Sequence, residues 1–85
     1  MAYKIKFKKS VSKDLKKIDK SVALNILDKI DAELPVSADK FPMLKGRFTG
    51  LRKFRIGEYR VIYSILKTDT VLVLRIAHRR EVYRK

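Results

Sequence analysis

The chain has 85 residues, 46% of them hydrophobic, and 22 Lys+Arg against 9 Asp+Glu give it a formal charge of +13. That length predicts one domain spanning residues 1–85, with enough apolar residues for a modest core. Having no cysteine excludes disulfides, thiol nucleophiles and cysteine-rich zinc sites, and a single histidine cannot build a histidine cluster. The longest apolar runs, such as Val71–Leu74, are of strand length, so no membrane span is expected. The N-terminus has no continuous apolar signal core, which predicts a cytoplasmic protein.

Tyr3, Ile5 and Phe7 alternate with Lys4, Lys6 and Lys8, the period of two of a half-buried strand. Val11, Leu15, Ile18 and Val22 then fall at helical spacing, with Ser10 or Ser12 as candidate cap. Lys20-Ser21 interrupts this run, and Ser21 can cap a second helix. That helix carries the stripe Ala23, Ile26, Leu27, Ile30 and Leu34, and Pro35 is expected to stop it. The pair reads as a helical hairpin with a lysine-rich outer face. Pro35, Pro42, Gly46 and Gly50 punctuate a connector, with Phe41, Met43 and Leu44 expected to pin it to the core.

Three strands follow: Leu51–Ile56, Tyr59–Leu66 and Val71–Ala77, joined by Gly57-Glu58 and by Lys67-Thr68-Asp69-Thr70. Connections this short predict an antiparallel meander. The fold class is therefore α+β, with an N-terminal strand, a helical hairpin and a three-stranded meander completing one sheet. Side-chain parity puts Phe54 and Ile56, then Val61, Tyr63 and Ile65, then Leu72, Leu74 and Ile76, on the face that receives the helices. Lys53, Arg55, Arg60 and Arg75 are left on the other face, with Arg79, Arg80 and Tyr83 following the last strand. Tyr59 and Tyr63 read as packing residues.

The charge is unevenly divided. Residues 1–44 carry ten Lys, no Arg and six acids; residues 45–85 carry four Lys, eight Arg and three acids. Arginine offers a rigid donor fork that matches phosphate, whereas lysine is a hydrated point charge. The second half thus reads as an anion-binding surface and the first as a solvated face with general attraction for RNA. The chain has no Gly-rich phosphate loop and no metal-cage spacing of acids. Cations, a phenol and one imidazole suit cleavage of RNA through its own 2′-hydroxyl, because the nucleophile is supplied by the substrate and no metal or other cofactor is needed. Lys53 can act as base if neighbouring cations and partial burial lower its pKa. Arg60 and Arg79 can hold phosphate oxygens, and Tyr83 can stack on a base or move a proton. The same groups would also serve a module that binds RNA without cutting it.

Leu51-Arg52-Lys53-Phe54-Arg55-Ile56-Gly57-Glu58-Tyr59-Arg60-Val61-Ile62-Tyr63, with Val73-Leu74-Arg75-Ile76-Ala77-His78-Arg79-Arg80-Glu81-Val82-Tyr83, resembles the C-terminal half of RelE/ParE-superfamily toxins of type II toxin–antitoxin systems. The N-terminal strand and helical hairpin fit as well. For the RelE branch the resemblance implies a microbial-RNase-like fold and ribosome-dependent cleavage of messenger RNA. It also implies an acidic, RelB-like antitoxin as partner. By position, Lys53, Arg60, Arg79 and Tyr83 match that branch's catalytic residues. Either Lys53 or Tyr83 is the base, and Arg79 is either acid or charge clamp. Arg52, Arg55, Arg75, His78 and Arg80 are candidate RNA contacts. Where the family pattern has a second lysine, this chain has Leu51. The ParE branch implies a different activity on the same fold, non-enzymatic inhibition of DNA gyrase.

Overall fold

The computed structural model describes residues 2–44, 50–67 and 69–78. In chain order these form β1 (Lys4–Phe7), α1 (Lys9–Lys16), α2 (Lys20–Ser37), a 3-10 turn (Ala38–Lys40), β2 (Arg52–Ile56), β3 (Tyr59–Leu66) and β4 (Thr70–His78). One four-stranded sheet has the order β1-β4-β3-β2. β2, β3 and β4 are the antiparallel meander that the short connections predict, and β1 joins it parallel to β4, pairing Lys4 with Thr70 and Phe7 with Val73. Both helices lie on one side, and no helix is long and apolar enough to cross a membrane.

Helix boundaries differ from expectation in four places. Neither Ser10 nor Ser12 caps α1. Lys8 occupies the cap position without a side-chain bond, and the Ser10 hydroxyl instead donates to the Leu74 carbonyl at 2.6 Å. The interruption between the helices falls at Lys17–Asp19, where the Lys17 and Ile18 amides tighten onto Asp14 and Leu15. Asp19, not Ser21, is the cap of α2: its carboxylate accepts from the Ser21 amide and hydroxyl at 3.3 and 2.6 Å. These bonds hold the Asp19 carboxyl below its ordinary pKa. The break resets the helical phase, so Val22 opens α2 as an exposed residue rather than extending the stripe of Val11, Leu15 and Ile18.

Pro35 does not stop α2, which continues to Ser37. Proline removes one amide donor, here the one that would reach the carbonyl of Asp31. Asp31 is exposed, so water can satisfy that carbonyl. The Pro35 carbonyl in turn accepts the Tyr3 amide at 2.8 Å, tying the helix to the start of β1.

Ile26, Ile30 and Leu34 of α2 pack with Val11 of α1 against Phe54, Ile56, Val61, Tyr63, Val71, Val73 and Ile76 of the sheet. Burying a side chain of this kind contributes roughly 1.5–3 kcal/mol. Tyr3 and Ile5 join this cluster as the alternation predicts, but Phe7, at the strand end beside the turn into α1, is 47% exposed. Of the connector, Phe41 stacks on Phe54 with ring centroids 4.6 Å apart. Met43 contributes through its backbone, bridging to Arg52, while its side chain stays exposed. Gly46 lies outside the described residues.

The alternation in β4 departs from prediction. Tyr63 pairs with Val73 and Ile62 with Arg75, so Leu74 is an extra residue, a β-bulge. Its effect is a change of parity. Val71 and Val73 face the helices before the bulge and Ile76 does so after it, in place of the expected set Leu72, Leu74 and Ile76.

Candidate nucleic-acid interface

The β2–β3 hairpin fixes the geometry of the cationic face. Its loop is Gly57-Glu58, with Ile56 paired to Tyr59. Gly57 takes φ +57°, a left-handed value at the first loop position that fits the twist of a two-residue hairpin. From that register Lys53 pairs with Ile62, which pairs with Arg75, while Arg55 pairs with Arg60, which pairs with Ala77. Paired residues share a sheet face, so Lys53, Arg55, Arg60 and Arg75 all start from the side away from the helices. Lys53 and Arg60 are diagonal neighbours, a relation that sets them about 7–8 Å apart and within mutual reach of one phosphate.

The side chains then separate. Arg60 is half-buried with its Nε inside the protein surface. Arg55 donates from Nε to the Gly57 carbonyl at 3.1 Å, which holds it over the hairpin loop. Arg75 turns to the edge of the sheet and forks onto Asp14 of α1, Nε to Oδ2 at 2.8 Å and Nη2 to Oδ1 at 3.1 Å. Arg52 has the parity of Phe54 and lies on the helix side, where its Nη1 donates to the carbonyls of Phe41 and Asp39 at 2.7 and 3.2 Å. His78 pairs with Tyr59, also on the helix side, and their rings meet edge to face at 5.4 Å. Arg79, Arg80 and Tyr83 lie outside the described residues.

Asp14 is the functional-looking residue that sequence reasoning passed over. It is 7% exposed and accepts a third bond, from the Ile76 amide at 3.0 Å. The Lys8 amide donates to Val73, the Ser10 hydroxyl to Leu74, and Asp14 accepts from Ile76. α1 therefore closes the stretch of β4 edge that β1 is too short to cover. A signal was present: Val11, Asp14, Leu15 and Ile18 occupy one helical stripe, and an acid inside an apolar stripe calls for a buried partner. Asp14, Lys17, Ile18, Tyr59, Arg75, Ile76 and His78 line an open groove of about 400 Å³ at this edge.

The family model described as "ParE toxin of type II toxin-antitoxin system, parDE" matches residues 5–83. The chain belongs to the RelE/ParE family of type II toxins. A chain of the archaeal RelE–RelB complex from Pyrococcus horikoshii is 35% identical over 93% of this toxin and 97% of its own length, with a TM-score of 0.63. A chain of the RelBE2 toxin–antitoxin complex from Mycobacterium tuberculosis is 25% identical, covers 93% of this toxin and 100% of itself, and superposes with a TM-score of 0.85. A chain of the chromosomal ParDE system of P. aeruginosa, at 15% identity and a TM-score of 0.68 over 91% of this toxin and 96% of itself, shares the fold. No curated protein sequence matches the chain.

Proposed function

We propose that this toxin is a ribosome-dependent endoribonuclease that cleaves messenger RNA through the substrate's 2′-hydroxyl. The observation that carries this reading is the diagonal placement of Lys53 and Arg60 on the sheet face away from the helices, next to the strand whose continuation bears Arg79 and Tyr83. The 2′-oxygen attacks phosphorus as its proton passes to Lys53 or Tyr83. The P–O5′ bond breaks and the leaving oxygen takes a proton, with Arg79 as donor or charge clamp. The products are a 2′,3′-cyclic phosphate and a 5′-hydroxyl. Arg60 stabilises charge on the phosphorane, and Arg55 and Arg80 track the backbone. The ribosome supplies the geometry that holds the message in line for attack. The natural inhibitor is an acidic, RelB-like antitoxin whose carboxylates complement the cationic face.

Primer extension on translated messages tests this. Cuts within codons are expected for the wild type and not for Lys53→Ala, Arg79→Ala or Tyr83→Phe. Uncut messages in intoxicated cells would refute it. A second reading, gyrase inhibition, is favoured by the ParE description of the matching family model. Supercoiling assays at toxic doses separate the two: inhibited gyrase with intact messages supports the second reading, and unaffected gyrase removes it. Bound RNA that yields no cyclic-phosphate end on any ribosomal complex would leave a non-cleaving RNA-binding module.

A further inference from the structure

The exposed surface of α1 is chemically one-sided. Its exposed residues are Lys9, Ser12, Lys13 and Lys16, and exposed Lys17 and Lys20 continue the row. Along the axis Lys9, Lys13 and Lys17 recur every four residues, about 6 Å apart. The helix carries a single acid, Asp14, and that carboxylate is buried and engaged by Arg75 and the Ile76 amide. Among the described residues, Lys9, Lys13, Lys16 and Lys17 make no salt bridge. Lysines three and four apart repel one another and weaken a helix, and this helix has only eight residues. α2 shows the ordinary alternative: Lys29 sits among exposed Asp28, Asp31 and Glu33.

The composition of this face discriminates among polyanions. A protein partner is held by an apolar and aromatic centre, and lysine is depleted there. The α1 face has no exposed apolar residue to supply such a centre. Stable seating on a membrane adds apolar groups inserted beside the cations, and the α1 face lacks them. Phosphates spaced along a nucleic-acid backbone need only regularly placed mobile charges. α1 packs along the edge of the sheet on the helix side, whereas Lys53 and Arg60 look the other way. A strand lying on the Lys53 face cannot also cover α1.

We infer that the α1 face Lys9–Lys13–Lys16–Lys17 is a second nucleic-acid contact, which grips the phosphate backbone of folded duplex RNA while the opposite sheet face takes a single strand. Contact on both sides fits a protein that works embedded in RNA. The inference goes beyond the cleavage reading and does not require it, since binding is measured without any cut.

The test uses the full chain and a 2′-O-methyl RNA hairpin, which has no nucleophilic hydroxyl. Binding is followed across a salt series for wild type, for Lys9/Lys13/Lys16→Gln and for Lys9/Lys13/Lys16→Arg. Each lost phosphate contact lowers the slope of log affinity against log salt by about 0.9. The Gln variant should therefore lose about 2.7 of slope, so that wild-type affinity falls about 40-fold more than the variant's between 50 and 200 mM salt. The Arg variant should keep the wild-type slope. Gln and Arg are about as good helix formers as Lys and all three positions are exposed, so both variants should melt close to wild type. An unchanged slope in the Gln variant overturns the inference. Loss of poly-glutamate binding with unchanged hairpin binding also overturns it and assigns the face to an acidic protein. Lys53→Ala should keep most of the hairpin slope whatever its effect on cleavage, so failure here and failure of the ribonuclease reading are distinguishable.

Discussion

Asp14 holds α1 against β4, and its removal should be the most damaging single surface-edge change in the toxin. Asp14→Ala leaves the Ile76 amide buried without an acceptor, at a cost of ~1–3 kcal/mol. It also removes the fork to Arg75. That side chain is 56% exposed, so the pair belongs at the solvent-screened end of the range, adding ~0–1 kcal/mol. The expected loss is about 2–3 kcal/mol. At roughly 4–8 °C per kcal/mol for a domain of this size, Tm should fall by about 10–20 °C. Asp14→Asn retains an oxygen for the amide and loses the ion pair, so it should cost about 1 kcal/mol, as should Arg75→Ala. Thermal melts by circular dichroism give the order. A shift of less than about 3 °C in Asp14→Ala would refute the edge-closing role, on the same size scaling. Equal losses in Arg75→Ala and Asp14→Ala would show that the ion pair rather than the strand-edge bond carries the energy.

Tyr63 is fully buried and its hydroxyl donates to the Ala38 carbonyl at 2.5 Å, so Tyr63→Phe should cost ~1–2 kcal/mol in urea titration. Burial pushes its phenol from 10.0 up to about 12. Between those values the unfolded chain loses a proton that the native state keeps, so stability present below pH 10 should decline toward pH 12. The phenylalanine variant should lack that decline. Gly57→Ala meets no atom within 4 Å, so its cost is the left-handed backbone alone, ~1–2 kcal/mol, and Gly57→Asn should be milder. Lys53→Ala should slow single-turnover cleavage on ribosomes by ~10²–10⁴ and Arg60→Ala by ~10²–10³, with melting temperatures close to wild type; rates within twofold of wild type would remove either residue from the chemistry.

Local patterns made much of this molecule legible. Alternation in β2 and β3, together with the Gly57-Glu58 turn, is enough to place Lys53, Arg55 and Arg60 on one face, because strand parity and hairpin register are short-range properties. The core of α2 follows from Ile26, Ile30 and Leu34 at helical spacing. β4 was not legible in the same way. Val71–Leu74 is apolar without interruption, so no alternation fixes its phase, and the bulge at Leu74 leaves no mark in composition. Arg75 has the right parity for the cationic face, yet its guanidinium is claimed by an acid 61 residues earlier in the chain, a contact no local window contains. Arg52 has the wrong parity, and the carbonyls that hold it come from a turn 11 and 13 residues away. The choice of Asp19 over Ser21 as cap turns on a two-residue shift of the helix start, which hydrophobic spacing does not resolve.

The extra residue at Leu74 also sets how freely this strand can vary. It works as a reading-frame shift in three dimensions: residues 70–73 are phased by β1, and those after Leu74 by α1. The two halves can drift in sequence independently, since neither inherits its inside and outside from the other. Deleting Leu74 would leave Val73 followed directly by Arg75, a regular ladder in which Val73 still meets Tyr63, Arg75 still meets Ile62 and Ile76 still meets Val61, so both halves keep their faces. Single-residue deletions scanned across β4 should therefore be tolerated best at Leu74, the residue without a partner in the ladder, and should harm toxicity more at the paired positions on either side of it.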